Sequence, residues 1–384
     1  MNTFEQALQQ ELSQLKEGKN HRFLKSPPGK ELLDVSSNDY LGLRDLPHLQ
    51  KEFFEKHPDI SLFPFSASSS RLLTGNHKEY LKTEELLATL FQREAALILN
   101  SGYHANTGIL SALCHKDDLI IADKMVHASL IDGFRLASCD FVRFKHQDFK
   151  HLENLLQRHA STHKCIYVVT ESIFSMDGDT TDLQALLALK KKYGFILYLD
   201  EAHAIGVRGD KGLGCAEEAQ CLQAVDLIVG TFGKALASQG AYLICNQIVK
   251  DFLVNKMRSL IFTTGLPPVN VAWTYFILKQ LSDFQNRRNH LQQITQNLRN
   301  ELTKFSNFAV PGDSHIVPVV VGSNEQAENL SGYLQSKGIY ALPIRHPTVP
   351  KGTARVRFTL HAGMEESQIN LLIEALKAYE AGLE

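Results

Sequence analysis

DLQALLALKKKYGFILYLDEAHAIG, residues 182–206, decides the fold class. Residues 182–194 read as a helix that closes on lysines and Gly194. Cations suit the negative end of a helix, and glycine accepts the cap conformation. FILYLD (195–200) then reads as a continuous apolar strand ending on an acid. The same grammar recurs on both sides. AALILN (95–100) precedes the helical SGYHANTGILSAL, and DLIIAD (118–123) is a further strand. The helical HLENLLQRHA (151–160) precedes CIYVVTES (165–172), and DLIVGTF (226–232) and AYLICN (241–246) follow. Near-continuous apolar strands separated by helices need cover on both faces, so the expected fold is α/β with a large, mostly parallel sheet.

The pattern changes after about residue 275. A charged helical stretch, LSDFQNRRNHLQQITQNLRNELTKF, leads to the strand HIVPVVV (315–321) and a helix from Asn324 to Lys337. The strand ARVRFTL (354–360) and a final helix complete a smaller α+β domain. Expected boundaries are an N-terminal helix and arm over 1–45, a large α/β domain over 46–275 and the C-terminal domain over 276–384. Two domains suit a chain of 384 residues.

Forty Lys+Arg against 42 Asp+Glu leave a net charge of −2, so nothing advertises nucleic acid or an anionic membrane as a partner. The six cysteines form no CxxC or zinc-like spacing and read as small hydrophobes in a reducing compartment; no metal site is expected. The start, MNTFEQALQQELSQLKEG, lacks the apolar core of a signal peptide. Its acidic residues and lack of arginine are unlike a transit peptide, so the chain is expected in the cytoplasm. Phe4, Leu8, Leu12 and Leu15 make it an amphipathic helix. No apolar run approaches the length of a membrane span.

Ligands of open α/β sheets gather at the carboxyl ends of strands. Ser101, Gly102 and Tyr103 follow AALILN there. They read as an anion-binding helix start, or as a plain serine-capped turn. His127 follows IIAD, where a structural histidine would look the same. Glu171 and Ser175 follow CIYVVT, and Asp200 and His203 follow FILYL. Asp200 reads as a cap, or as an acid that a cation must meet. Thr231 and Lys234 follow DLIVG, in GTFGKALASQGAYLICN (230–246). An isolated lysine in apolar surroundings loses its proton readily and becomes a nucleophile towards aldehydes. A P-loop is excluded, because Ile228 and Ala235 stand where it needs glycine and Ser/Thr. The glycine-rich GVRGDKGLG (206–214) follows DEAH rather than joining a strand to a helix, so it is a poor dinucleotide site. An anion cradle, an acid and an aldehyde-binding lysine together specify pyridoxal phosphate (PLP), whose ring serves as an electron sink when its nitrogen is held protonated.

These residues resemble the α-oxoamine synthases, a family with the aspartate-aminotransferase-like fold of fold-type I PLP enzymes. The resemblance runs from SSNDYLGL (36–43) through RLLTGN (71–76), SGYHAN, DKMVHASLIDG, TESIFSMDGD, DEAHAIGVRGDKGLG and TFGKALASQGAYL to PTVPKGTARVRFTL (347–360). It implies that Lys234 bonds to the cofactor, that Asp200 faces the pyridine nitrogen and His203 the phenolic oxygen, and that His127 stacks on the ring. Ser175 would lie near the cofactor. Gly102, Tyr103 and Thr231 would hold the phosphate, helped by Thr263 or Thr264 of a partner subunit in a homodimer with composite sites. TTGLPP (263–268) is expected far from the strand-end site of its own sheet. Asn38 and Arg357 would take the amino acid's carboxylate, and Arg22 and Thr348 the acyl substrate or product. Arg355 shares a strand face with Arg357, and the preference for Arg357 comes from the resemblance. SASSSR (66–71) departs from the family, which often has glycines there, so no glycine contact is transferred.

The implied reaction is a decarboxylating C-acyl transfer. Within the family, the resemblance carried by TFGKALAS and PTVPKGTARVRF implies L-alanine with pimeloyl-CoA or a pimeloyl carrier protein as substrates. Glycine with acetyl-CoA or succinyl-CoA, serine with a long acyl chain, and signalling-molecule synthesis keep the chemistry and change the substrates. A non-catalytic partner subunit is a third reading. The presence of Lys234, Asp200, His203 and His127 speaks against it.

Overall fold

The computed structural model describes residues 2–382 apart from 23, 25, 27, 28 and 30. Residues 1, 383 and 384, which the sequence reading includes in its terminal domains, lie outside the described residues, as do those five positions of the arm. The strands are β1 Leu33–Asp34, β2 Ala95–Leu99, β3 Leu119–Asp123, β4 Asp140–Phe144, β5 Ile166–Glu171, β6 Ile196–Asp200, β7 Leu227–Thr231, β8 Ala241–Cys245, β9 Ile316–Gly322, β10 Ile339–Tyr340, β11 Pro343–Ile344 and β12 Ala354–Thr359. Two compact units emerge. One comprises 39–175 and 180–289, the other 1–38, 176–179 and 290–384.

The larger unit holds a seven-stranded sheet in the order β2-β8-β7-β6-β5-β3-β4. Strands β3 to β7 run parallel, and β8 is antiparallel to both β2 and β7. Every residue of β2, β3, β5 and β8 is buried, which is why these strands read as unbroken apolar runs. Strand β4, DFVRF, is an edge strand with a largely exposed face. Its charges guard the edge and hide it from a search for apolar runs. The helices Gly102–Leu113 and Ala128–Leu136 pack closely at Gly133, where an added Cβ would stand 2.2 Å from the carbonyl oxygen of Asn106. Helix Pro268–Lys279 also belongs here, with Trp273 and Phe276 each packing edge-on against Phe53.

The smaller unit is built on a three-stranded sheet, β11-β12-β9, wholly antiparallel. Helices Asn324–Ser336 and Glu366–Ala381 accompany it, each opened by a capping box. The N-terminal arm is hydrogen-bonded into this unit rather than standing apart. Strand β1 pairs in parallel with β10, and the Thr359 amide donates to the Val35 carbonyl at 2.9 Å. Two-residue ladders carry no periodicity, so the sequence gives no sign of this pairing. All six cysteines are free thiols, and no helix among the described residues is long and apolar enough to cross a membrane.

Candidate active site

A cavity of about 210 Å³ opens at the carboxyl ends of the parallel strands in the larger unit. Gly102 and Tyr103 reach it from the helix after β2, and His127 from the turn after β3. Asp200 and His203 come from the end of β6, Thr231 and Lys234 from the end of β7. Seven residues picked out from the sequence thus meet in one space. Asn106, Ser129, Glu171 and Ala202 line it with them.

Lys234 sits in a short loop between β7 and β8. The loop is pinned by Phe232 N–H to Gly240 O and Ser238 N–H to Phe232 O, both 2.9 Å, while Ala235 and Leu236 are wholly buried. The apolar run around the lysine is therefore an anchor that aims the amine. Lys234 Nζ lies 2.7 Å from His203 Nε2, and His203 Nδ1 lies 2.6 Å from the buried hydroxyl of Tyr40.

Asp200 is nearly buried and fully engaged. Asn106 Nδ2 donates to its Oδ2 and the Ala202 amide to its Oδ1, each at 2.9 Å. Asn106 is itself fixed, since Tyr198 donates its hydroxyl to Asn106 Oδ1 at 2.6 Å and Asn106 Nδ2 also donates to Ser129 Oγ at 2.9 Å. A buried carboxyl group so held keeps its orientation toward the cavity.

His127 caps the helix Ala128–Leu136, its Nδ1 accepting from the Ser129 amide. Burial pushes its imidazole below the ordinary value, with Asp200 opposing and Lys234 assisting. The neutral ring is favoured, with a flat face suited to stacking. Its backbone amide donates to Glu171 Oε1 at 2.5 Å. Glu171 lies opposite Asp200 in the β5–β6 register. Burial, reinforced by the neighbouring charge of Asp200, holds the Glu171 carboxyl well above the usual carboxylate range.

The helix Gly102–Leu113 points its amino end here, capped by Ser101. First-turn amides have no partner within a helix and favour anions. An added Cβ on Gly102 would meet nothing nearer than Thr231 Cβ at 4.0 Å, so the backbone is open to close approach. An amine, a fixed carboxylate and an open helix start fit a group that carries an aldehyde, a basic ring nitrogen and a phosphate. The residues present therefore suit PLP.

The other expected residues lie elsewhere. Ser175 is half-buried and is not among the residues lining this cavity. Nor are Thr263 and Thr264, yet TTGLPP is nearer the strand ends of its own sheet than expected. Asn100, immediately after β2, donates from Nδ2 to Thr263 Oγ1 at 3.3 Å and to Thr264 O at 2.6 Å. The expectation of a segment far from the site is corrected on that point. Asn38, Arg357, Arg22 and Thr348 belong to the smaller unit. There Arg357 Nη2 donates to Asn38 Oδ1 at 3.1 Å, and Arg22 Nη2 to Thr348 Oγ1 at 2.8 Å. Arg355 is buried and committed to an ion pair with Asp177. Asn106, Ser129 and Tyr40 escaped the sequence reading, and Glu171 was noticed without a role. The available signal was the polar Asn106 on the helix face that it shares with Ile109 and Leu110.

The family of class I and II aminotransferases matches residues 30–376 of the chain. A putative 8-amino-7-oxononanoate synthase of Glaesserella parasuis is 55% identical over 346 residues, 90% of this chain and 90% of that protein. The 8-amino-7-oxononanoate synthase of Haemophilus ducreyi is 54% identical over 353 residues, 90% of this chain and 91% of that one. Among solved structures, a serine palmitoyltransferase of S. paucimobilis with a bound PLP–myriocin aldimine aligns with a TM-score of 0.89, at 26% identity and 100% coverage of both chains. An 8-amino-7-oxononanoate synthase of Francisella tularensis aligns with a TM-score of 0.76, at 27% identity, covering 92% of this chain and 99% of that one. The fold is that of the fold-type I PLP enzymes.

Proposed function

The chain belongs to the class I and II aminotransferase family, and on that premise we propose that it condenses L-alanine with a pimeloyl thioester, on CoA or a carrier protein. The products are 8-amino-7-oxononanoate, the free thiol and CO2, a step of biotin synthesis. The observation that carries the chemistry is the meeting of Lys234, Asp200, His203 and an open helix start in one cavity. The choice of substrates is supported by relatives at 54–55% identity that bear this activity in their names, against 26% for a serine palmitoyltransferase.

PLP, when bound, supplies an aldehyde that a lysine can engage and a ring that draws electrons from the substrate's α-carbon. Lys234 Nζ would hold the aldehyde and would take the proton from the amino acid's α-carbon as general base. Asp200, kept in place by Asn106 and the Ala202 amide, would hold a proton on the pyridine nitrogen. His203 Nε2 would serve the phenolic oxygen, and the neutral face of His127 would cover the ring. Gly102, Tyr103 and Thr231 would take the phosphate, and the resemblance puts Ser175 near the cofactor.

For the smaller unit, the resemblance assigns the amino acid's carboxylate to Asn38 and Arg357, and the acyl group to Arg22 and Thr348. Each pair is already in contact within that unit. Arg355, tied to Asp177, is the poorer candidate. The active species is a cytoplasmic two-fold homodimer in which Thr263 and Thr264 of a second copy complete each phosphate site.

The test is a matrix of alanine, glycine and serine against pimeloyl, acetyl, succinyl and palmitoyl thioesters, with thiol release followed and products identified by mass spectrometry. Alanine with the pimeloyl thioester should give the fastest release and 8-amino-7-oxononanoate. Faster turnover of another pair would overturn the substrate assignment and leave the chemistry standing. No thiol release from any pair would overturn both.

A further inference from the structure

Tyr40 is wholly buried, and a phenylalanine would fill the same apolar space. A buried tyrosine hydroxyl is costly unless it is paired. Its partner is His203 Nδ1, at 2.6 Å, with the rings tilted by 44° at a centroid separation of 6.0 Å. The opposite nitrogen of the same ring, Nε2, is 2.7 Å from Lys234 Nζ. Three groups therefore stand in line: the Tyr40 hydroxyl, the His203 ring and the Lys234 amine.

A neutral imidazole donates from one nitrogen and accepts at the other, and the partner of one nitrogen decides the role of the other. If Tyr40 donates to Nδ1, the ring proton sits on Nε2, facing the cavity. If Nδ1 carries the proton instead, Nε2 is an acceptor and has nothing to offer an anionic oxygen. We propose that Tyr40 is a positioning residue that donates its hydroxyl to His203 Nδ1, fixing the ring's orientation and its proton on Nε2, where it can be given to the phenolic oxygen of PLP. The proposal rests on the function proposed above for the cofactor and adds a residue acting through His203. Asp39 and Leu41, on either side of Tyr40, have other tasks. Asp39 accepts from the Leu43 and Arg44 amides, and Leu41 O accepts from Arg287. The chain around Tyr40 is thus held independently of its hydroxyl, and Tyr40→Phe should keep the backbone.

The experiment is a double-mutant cycle of Tyr40→Phe and His203→Gln, with PLP affinity, the absorbance bands of the bound cofactor and steady-state constants measured for all four proteins. Nitrogen-15 shifts of the His203 ring are recorded with and without PLP in the two proteins that retain it. Wild type should show a single Nε2–H ring, and Tyr40→Phe a mixture. Tyr40→Phe alone should weaken PLP binding about five- to tenfold, the worth of one buried hydrogen bond. It should also change the band ratio and lower kcat with little change in KM for the amino acid. In the His203→Gln background the same change should have almost no effect. Equal losses in both backgrounds would show a merely structural role and overturn the proposal, as would an unchanged ring and an unchanged spectrum. If Tyr40→Phe does not fold, Tyr40→3-fluorotyrosine keeps shape and hydroxyl while strengthening the donor. It should keep the single Nε2–H ring and move the bands the opposite way from Tyr40→Phe, and a mixed ring or no movement of the bands would overturn the proposal. A wild-type protein that takes up no PLP would sink the cofactor assignment itself. Normal uptake that is indifferent to Tyr40 sinks this proposal alone.

Discussion

Glu201, the residue after Asp200, is wholly buried. Its carboxyl accepts from Ser172 Oγ at 2.5 Å, the Cys215 amide at 3.0 Å and the Ala216 amide at 2.7 Å. The contact is close enough that Gly214, at φ 114°, leaves no room for a Cβ, which would stand 2.7 Å from Glu201 Oε2. Burial outweighs these hydrogen bonds and pushes the carboxyl from 4.5 up to about 7, with Asp200's charge adding to the rise. Between those values the folded protein holds a proton that the unfolded chain has released. The stabilisation is therefore full below pH 4.5 and is lost as pH rises towards 7. At about 1.4 kcal/mol per pH unit over about 2.5 units, the loss is about 3 kcal/mol. Glu201→Gln does not titrate. Its amide nitrogen cannot accept from a backbone N–H, which costs about 1–3 kcal/mol at every pH. The quantity to read is therefore the pH dependence of the difference. Urea unfolding of wild type and Glu201→Gln at pH 4.5, 5.5, 6.5 and 7.5 should show wild type losing about 3 kcal/mol relative to the variant across the range. A difference constant to within about 1 kcal/mol would refute the reasoning, because Glu201 would then ionise alike in both states.

Three further outcomes follow from the site and its support. Asp200→Asn should bind PLP weakly and lower kcat by about a hundredfold or more, as loss of a preorganised charge does; stopped-flow absorbance with alanine checks this. Gly133→Ala should cost about 2 kcal/mol or more in thermal unfolding and also weaken PLP binding. The new Cβ drives against Asn106 O at 2.2 Å, and Asn106 holds Asp200. Mixing Lys234→Ala with a Thr263→Ala, Thr264→Ala chain that has lost cofactor affinity should restore activity above either parent, because some mixed dimers keep one intact site. Subunit exchange seen by native mass spectrometry without that rise would contradict composite sites.

Much of the larger unit was legible because a buried parallel strand must be apolar throughout, and six of its seven strands announce themselves that way. Strand β4 does not, since an edge exposes a face and may carry Asp140 and Arg143. The tie between the arm and the C-terminal unit was illegible, since β1 and β10 pair through two residues each. At the site, position relative to strand ends sufficed to bring Lys234, Asp200, His203 and His127 to notice. The groups that orient them come from distant sequence. Tyr40 reaches His203 across 163 positions and Asn106 reaches Asp200 across 94, and neither local pattern nor spacing marks such partners. Asn100 reaches Thr263 across 163 positions in the same way, a contact that only the folded chain shows.

The attachment of PLP to Lys234 is tested most directly by reduction and mapping. The purified protein is loaded with PLP, reduced with borohydride, digested and sequenced by mass spectrometry, with Lys234→Ala treated in parallel. The stable pyridoxyl mark should fall on the peptide containing Thr231–Ala237 at Lys234, and Lys234→Ala should carry no mark and no activity while still folding. A mark on another lysine, or undiminished conversion of alanine by Lys234→Ala, would contradict the assignment of this cavity.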